Sequence, residues 1–288
     1  MNEVSHDVPA GSALQRLPDP KPGTIVVCTL GGVADIGMNL TLYGAQGGWV
    51  LVDAGTTFAP RETVGVEAVM PDPRFLIALG GSLKGLVVSH YHEDHVGAIT
   101  RYWPRYTRCP IFAPPFAARM LTGKFQDKGL LGEVNIKTFQ PGSTLKVGPF
   151  RIRTVRVAHS TPDCVAFGFE AQGRRILQTN DWKIDENPGI GSRTDMGAFA
   201  ALGQQGVELM LCDSTNAERD APQTSEASVR RALETVMRQT RGMTFVCSFG
   251  SNVARMASVA QAAKATRRKV AWRGARCATQ PRLPRRSG

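Results

Sequence analysis

Short runs of β-branched and apolar residues, broken by paired glycines, open the patterned part of the chain. Thr24–Leu30, Met38–Tyr43 and Trp49–Val52 read as strands, separated by the glycine pairs at 31/32 and 47/48. Before them, residues 1–22 are polar and aperiodic and read as a mobile tail. Leu86–Ser89 is a short apolar strand that runs straight into the polar stretch His90 to His95. Val96–Trp103 has helical spacing, and Ile111–Ala113 reads as a strand. A second β-rich block follows: Val134–Thr138, Thr144–Val147, Phe150–Val157, Val165–Glu170 and Arg174–Gln178. Strands there follow one another as in a meander, with helices interspersed. After about Asp181 the pattern alternates: Glu208–Cys212 as strand, Ser225–Gln239 as helix, Thr244–Cys247 as strand and Asn252–Thr266 as helix. That alternation predicts a βαβ unit with a parallel sheet, and the chain as a whole is α/β. No internal repeat is visible.

Composition narrows the class. With 288 residues and 42% hydrophobic side chains the chain can bury one large core or two small ones. No apolar run approaches the roughly 18 residues of a membrane span, and the first twenty residues lack the pattern of a secretory signal. Six scattered cysteines with no C-x-x-C pair argue against a thiolate metal site or a disulfide framework and for a reducing cytoplasm. The net charge of +11 suggests an anionic partner, but residues 271–288 contain five arginines and no acid, so the remainder carries only +6.

The candidate chemistry is concentrated in Ser89-His90-Tyr91-His92-Glu93-Asp94-His95, at a strand end. Imidazoles and carboxylates hold zinc or manganese. His90 and His92 can aim at one ion, while Asp94 and His95, a step further on, can face a second. Only five histidines are present; besides His6 and these three, His159 follows the strand Phe150–Val157 and is the candidate third ligand of the first ion. Asp181, after the strand Arg174–Gln178, is the candidate bridging carboxylate. Asp53 ends the strand Trp49–Val52 and either orients a ligand from behind or caps a turn. Phe249-Gly250-Ser251-Asn252 precedes a helix, where Ser251 and Asn252 cap it or hold a phosphate. Arg101 and Arg105, interleaved with Tyr102, Trp103 and Tyr106, are either a single-strand RNA contact or the wet rim of a packed helix end.

Taken together, Asp53, His90–His95, His159 and Asp181 resemble the metallo-β-lactamase superfamily. Gly32–Asn39, Met70–Pro73, His159–Asp163, Asp181–Lys183, Asp213–Glu218 and Ser251–Val253 are similar to the ribonuclease J family, its β-CASP branch, and the likeness runs from about Thr24 to Val270. The resemblance implies a metallo-β-lactamase αββα sandwich over 23–210, incomplete, followed over 211–270 by the first part of an α/β β-CASP domain. It implies two divalent ions, Zn2+ with Mn2+ as the alternative. His90, His92, His159 and Asp181 would hold one; Asp94, His95 and Asp181 the other. Asp94, His95 and Asp181 would act in catalysis, hydrolysing RNA endonucleolytically and from the 5′ end through a metal-bridged hydroxide. Asp213 would lie behind the ligands. Family members assemble as dimers and tetramers. Two departures stand out: Asn180 where the family has glycine, and Asp35 for a glutamate.

The family's later histidine motifs, expected downstream of Val270, have no counterpart here, since no histidine follows His159. A coding string for A-L-A-G-R-S-L-R-N-A-A, the family's usual continuation, reads A-W-R-G-A-R-C-A-T-Q-P when one C is removed from its first run of C. That is the sequence Ala271 to Pro281. Residues 272–288 are therefore expected to be out of frame, and their basic character an accident of reading frame. Three functions stay open: a ribonuclease of this family, another hydrolase of the fold acting on a thioester, lactone or tRNA precursor, and a remnant that binds metal or RNA without turnover.

Overall fold

The computed structural model describes residues 17, 19–33, 35–220 and 224–274. The chain starts with the meander β1 (Val26–Gly31), β2 (Leu40–Ala45) and β3 (Gly48–Val52), then the small ribbon β4 (Thr57–Phe58) with β5 (Ala68–Val69) and the helix α1 (Arg74–Leu79). Next come β6 (Leu83–Val87), the four-residue helices α2 (Glu93–Val96) and α3 (Ile99–Tyr102), β7 (Ile111–Ala113), α4 (Pro115–Asp127) and β8 (Ile136–Thr138). A second meander is β9 (Thr144–Val147), β10 (Phe150–Arg156), β11 (Val165–Ala171) and β12 (Arg174–Gln178). After it come α5 (Met196–Gln204), β13 (Leu209–Leu211), α6 (Glu226–Gln239) and α7 (Val253–Ala265).

Two sheets face each other, ordered β1-β2-β3-β6-β7-β8 and β13-β12-β11-β10-β9. Period-2 alternation sends one side of each strand into the space between them, where Tyr43, Val50, Phe150, Ile152, Phe167 and Phe169 are buried. Tyr43 stacks on Phe169 at 4.2 Å, and its hydroxyl donates to Gln178 at 2.7 Å, so burial keeps the phenol protonated. The other face of the first sheet packs on α1, α3 and α4, and part of the other face of the second packs on α5. The αββα layering expected from the sequence is present.

Some expectations are corrected. Val96–Trp103 is not one helix: α2 and α3 are separate turns, because the backbone at Asp94 and His95 is held by the loops beside it, with Asn39 N bonding Asp94 O and Ala54 N bonding His95 O. The strand Glu208–Cys212 forms as β13, paired parallel to β12, so it extends the sandwich sheet instead of opening a new one. Thr244–Cys247 pairs with no strand among the described residues, and Phe245 is 82% exposed; a strand needs a neighbour for its ladder. Helices α4 and α5 escaped the sequence reading. In α4 the buried Ala117, Leu121 and Phe125 follow the helical repeat, and Asp163 Oδ2 accepts from Phe116 N at its start. Leu17, inside the segment read as a tail, packs against the first core. Residues 1–16 and 18 of that tail and residues 275–288 lie outside the described residues. Among the described residues no helix is long and apolar enough to cross a membrane.

Candidate metal centre

Parallel pairing of β3 with β6 brings the ends of both strands to one rim, where Asp53 N bonds Val87 O. The end of β10, the start of β11 and the end of β12 meet the same rim, which is where open α/β sheets place their ligands. The loops are knitted together by main-chain bonds: Ala54 N to His95 O, Gly55 N to Asn39 O and Asn39 N to Asp94 O. Gly55 admits no side chain, because a Cβ would lie 1.6 Å from the Asp94 carbonyl oxygen.

Two groups of donors result: His90, His92, His159 and Asp181, and Asp94, His95 and Asp181. Asp181 divides its oxygens between them. Oδ2 lies 3.4 Å from His159 Nε2 and 3.8 Å from His90 Nε2, and Oδ1 lies 3.2 Å from His95 Nε2. His92 Nδ1 is 3.0 Å from His90 Nε2 and 3.1 Å from His159 Nε2.

Tautomers follow from the partners behind the rings. Asp53, buried and at φ 55°, accepts from Ser89 N at 2.8 Å, Ser89 Oγ at 2.7 Å and His95 Nδ1 at 2.7 Å. Ser89 Oγ in turn accepts from His90 Nδ1 at 2.9 Å, and Ser160 Oγ accepts from His92 Nε2 at 3.2 Å. The opposite nitrogens of His90 and His92 face the cluster bare, whereas His95 Nε2 faces Asp181 Oδ1. Burial, reinforced by neighbouring imidazoles, pulls His90 and His92 below the usual histidine range, and burial takes His159 down to about 3. His95 is different. Burial pulls it down, but the carboxylates of Asp181, Asp94 and Asp53 outweigh burial and hold it well above. Asp181 is pushed up by burial and held low overall by His95 and its hydrogen bond.

The bare nitrogens of His90 and His92 face each other at 3.0 Å, with His159 Nε2 3.1 Å from His92, and two lone pairs at that distance repel unless a cation lies among them. The donor separations of this group, 3.0 to 3.8 Å, straddle the edge of about 3.3 Å of a tetrahedron around an ion with ligand distances of about 2.0–2.1 Å, so the donor set fits a divalent metal.

Residues 48–244 match the Beta-lactamase superfamily domain. The chain belongs to the beta-lactamase superfamily. Within that superfamily it is 40% identical over 250 residues to ribonuclease J of Sinorhizobium meliloti, covering 85% of this chain and 44% of that protein. With ribonuclease J of Corynebacterium glutamicum it shares 34% over 266 residues, covering 90% of this chain and 36% of that one. The chain thus spans less than half the length of these curated relatives. A protein of unknown function from Enterococcus faecalis V583 has the same fold, with a TM-score of 0.59 at 16% identity over 82% of this chain and 62% of that chain.

The rim opens on a cleft of about 1210 Å3 lined by Gly31–Val33, Asp35–Gly37 and Asn39 from one side and Leu211–Arg219 from the other, with Asp94, His95, Asn180 and Asp181 between. Asp213 lines it, but its carboxylate accepts from Thr215 N at 2.8 Å, closing its own turn, while Thr179 Oγ1 accepts its amide. Asn180, at φ 52°, occupies the left-handed conformation that favours glycine; asparagine tolerates it, and its Nδ2 donates to Val165 O. Asn252 caps α7 by accepting from Arg255 N, and the start of that helix docks on the ligand loop through Ala254 N to Ser160 O. At Arg101 and Arg105 the neighbouring Tyr102 and Trp103 are buried, with Tyr102 Oη donating to Pro71 O and Trp103 Nε1 to Cys109 O. These two rings are packed into the core and do not present faces for base stacking. Ser89, Ser160 and Asn39, whose Nδ2 lies 3.1 Å from His95 Nε2, had no assigned role in the sequence reading. Their position directly beside ligand histidines or inside the glycine loop was the available signal.

Behind the rim, Lys183 pairs with the buried Asp185 at 2.9 Å, and Asp185 accepts from Glu226 N at the start of α6. Glu226, also buried, holds Arg255 of α7 through both carboxylate oxygens. The helical pair is thereby tied to the segment that follows Asp181.

Proposed function

We propose that this chain carries the centre of a metal-dependent ribonuclease that hydrolyses RNA phosphodiester bonds, both internally and from the 5′ end. The observation that carries the reading is Asp181, whose two oxygens face two separate donor groups at the edge of a long cleft. His90, His92, His159 and Asp181 would hold one divalent ion, and Asp94, His95 and Asp181 the other, with Zn2+ favoured by the imidazole-rich set and Mn2+ the alternative. Such a pair of ions, when bound, lowers the pKa of a water and neutralises phosphate oxygens.

The chain's own residues prepare the site. Asp53 fixes the His95 tautomer directly and that of His90 through Ser89. The cleft carries Asp35, Asp94, Asp181, Asp213 and Glu218 against Arg219, so it favours a polyanion only once cations are bound. The relatives named ribonuclease J support RNA as substrate, and the five described cysteines, all free, are consistent with a reducing cytoplasm. We assign residues 211–270 to the beginning of a β-CASP domain and leave the assembly of the family, dimer or tetramer, as the expected oligomer.

The test is metal content and cleavage of a 5′-labelled single-stranded RNA, before and after chelation and on restoring Zn2+ or Mn2+. Cleavage that survives complete chelation overturns the reading. A second reading, metal binding without turnover, is favoured by the three-residue second group among the described residues; bound metal with no cleavage under either ion would select it.

A further inference from the structure

On the outer face of the second sheet, α5 covers only one end. Beyond the C-terminus of α5 lies a cavity of about 360 Å3, within the range of small-molecule sites. It shares no lining residue with the metal-site cleft. Arg151 stands eight residues from His159 along and just past β10, so the two are up to about 26 Å apart.

Strand register builds a basic row here. Lys146, Arg151, Glu170 and Arg175 are consecutive cross-strand partners on β9, β10, β11 and β12. Lys146 directly opposite Arg151 is a like-charge pair, which weakens a sheet, so stability alone does not account for the arrangement. Arg153 pairs across to Gly168, whose missing side chain lets Leu202 of α5 pack down on the sheet and wall the cavity; a Cβ there would come within 3.0 Å of Leu202. Among the described residues Arg151 and Arg153 have no hydrogen-bond or carboxylate partner. Arg175 donates one NH to Gln205 O at 2.8 Å and lies 3.6 Å from Glu170, but its buried Nε–H has no acceptor. Three guanidiniums and one carboxylate line the space.

We infer that this cavity is an anion site that takes phosphate groups, with Arg151 and Arg153 as the principal donors. Guanidinium forks match phosphate oxygens bidentately, and an acceptor near Arg175 would satisfy its buried Nε–H. The phosphate comes either from a free nucleotide-like compound or from an RNA backbone remote from the scissile bond. The inference does not depend on the metal centre.

The experiment uses the full chain with metal chelated, so that the metal centre cannot hold phosphate. Inorganic pyrophosphate is titrated calorimetrically, and a fluorescent single-stranded RNA by anisotropy at several salt concentrations. The double substitution Arg151→Gln/Arg153→Gln is expected to weaken binding at least tenfold. Arg119→Gln/Lys128→Gln, with the same charge change on α4 and at the residue after it, is expected to weaken it less than twofold. Loss confined to pyrophosphate identifies a free phosphate compound. Loss of RNA affinity, with a shallower salt dependence, identifies the backbone. Equal effects of the two doubles, or no effect of the first on either probe, overturn the inference. If the first double melts early, Arg153→Lys keeps charge and packing but loses the fork, and at least a threefold weakening is expected.

Discussion

Val165–Ala171 and Thr244–Cys247 are both rich in β-branched and aromatic residues, yet they end in opposite environments. Phe167 and Phe169 of β11 are at 0% and 1% exposure in mid-sheet, whereas Phe245 is 82% exposed and Phe249 73%. Strand propensity is realised where a neighbour supplies both a hydrogen-bond ladder and a packing surface, and β11 has β10 and β12. The same contrast extends to polar groups. On the sandwich rim the ligands are held from behind by buried hydrogen bonds, while the helical pair α6–α7 is tied on by the Lys183–Asp185 and Glu226–Arg255 pairs.

The largest effect that tests this contrast is a pair of truncations. Phe169→Ala is expected to cost about 3–5 kcal/mol in denaturant unfolding, and Phe245→Ala less than about 0.5 kcal/mol. Equal costs would mean that residues 243–249 are packed in solution. Next, Asp181→Asn is expected to lower divalent-metal affinity by roughly a hundredfold or more at both groups, since one carboxylate serves both, while Asp213→Asn changes it less than about threefold. Competition with a chromophoric chelator measures both.

A third test concerns the attachment of the helices. Burial pushes Asp185 up, but hydrogen bonds from Lys183 and the Asn187 and Glu226 amides outweigh it and hold the carboxyl at about 2. A depressed carboxylate contributes stability above its unfolded pKa of about 3.9 that is lost as pH falls towards the folded value. Thermal melts from pH 6 down to pH 2 should show a loss of about 2 kcal/mol on this account, and Asp185→Asn should flatten that part of the profile. Last, Asp53→Asn is expected to lower metal affinity about tenfold, less than Asp181→Asn, because it disturbs the partner of His95 and Ser89 but removes no ligand.

Much of the site was legible in the chain. The H-x-H-x-D-H stretch, His159 and Asp181 each follow or adjoin a strand, and the structure gathers all of them at one rim. The fold was legible where alternation is local: β7, β9 and β12 have the residues expected of them. Helices α4 and α5 were missed because short stretches with Gly, Ala and Pro give a weak helical signal until Leu121, Phe125 and Leu202 meet their cores. Thr244–Cys247 was misread because propensity says nothing about whether a partner strand is at hand.

By itself the sequence determined which residue types stand at the strand ends, since alternation, caps such as Ser225 and Asn252 and the histidine spacing are properties of neighbouring residues. Only the tertiary structure decided that Asp181 turns one oxygen to each donor group and that Asp53 supports His95 directly and His90 through Ser89. It also decided that Lys146, Arg151, Glu170 and Arg175 line up across four strands. These arrangements depend on sheet register and loop packing between segments far apart in the chain, which no local pattern encodes.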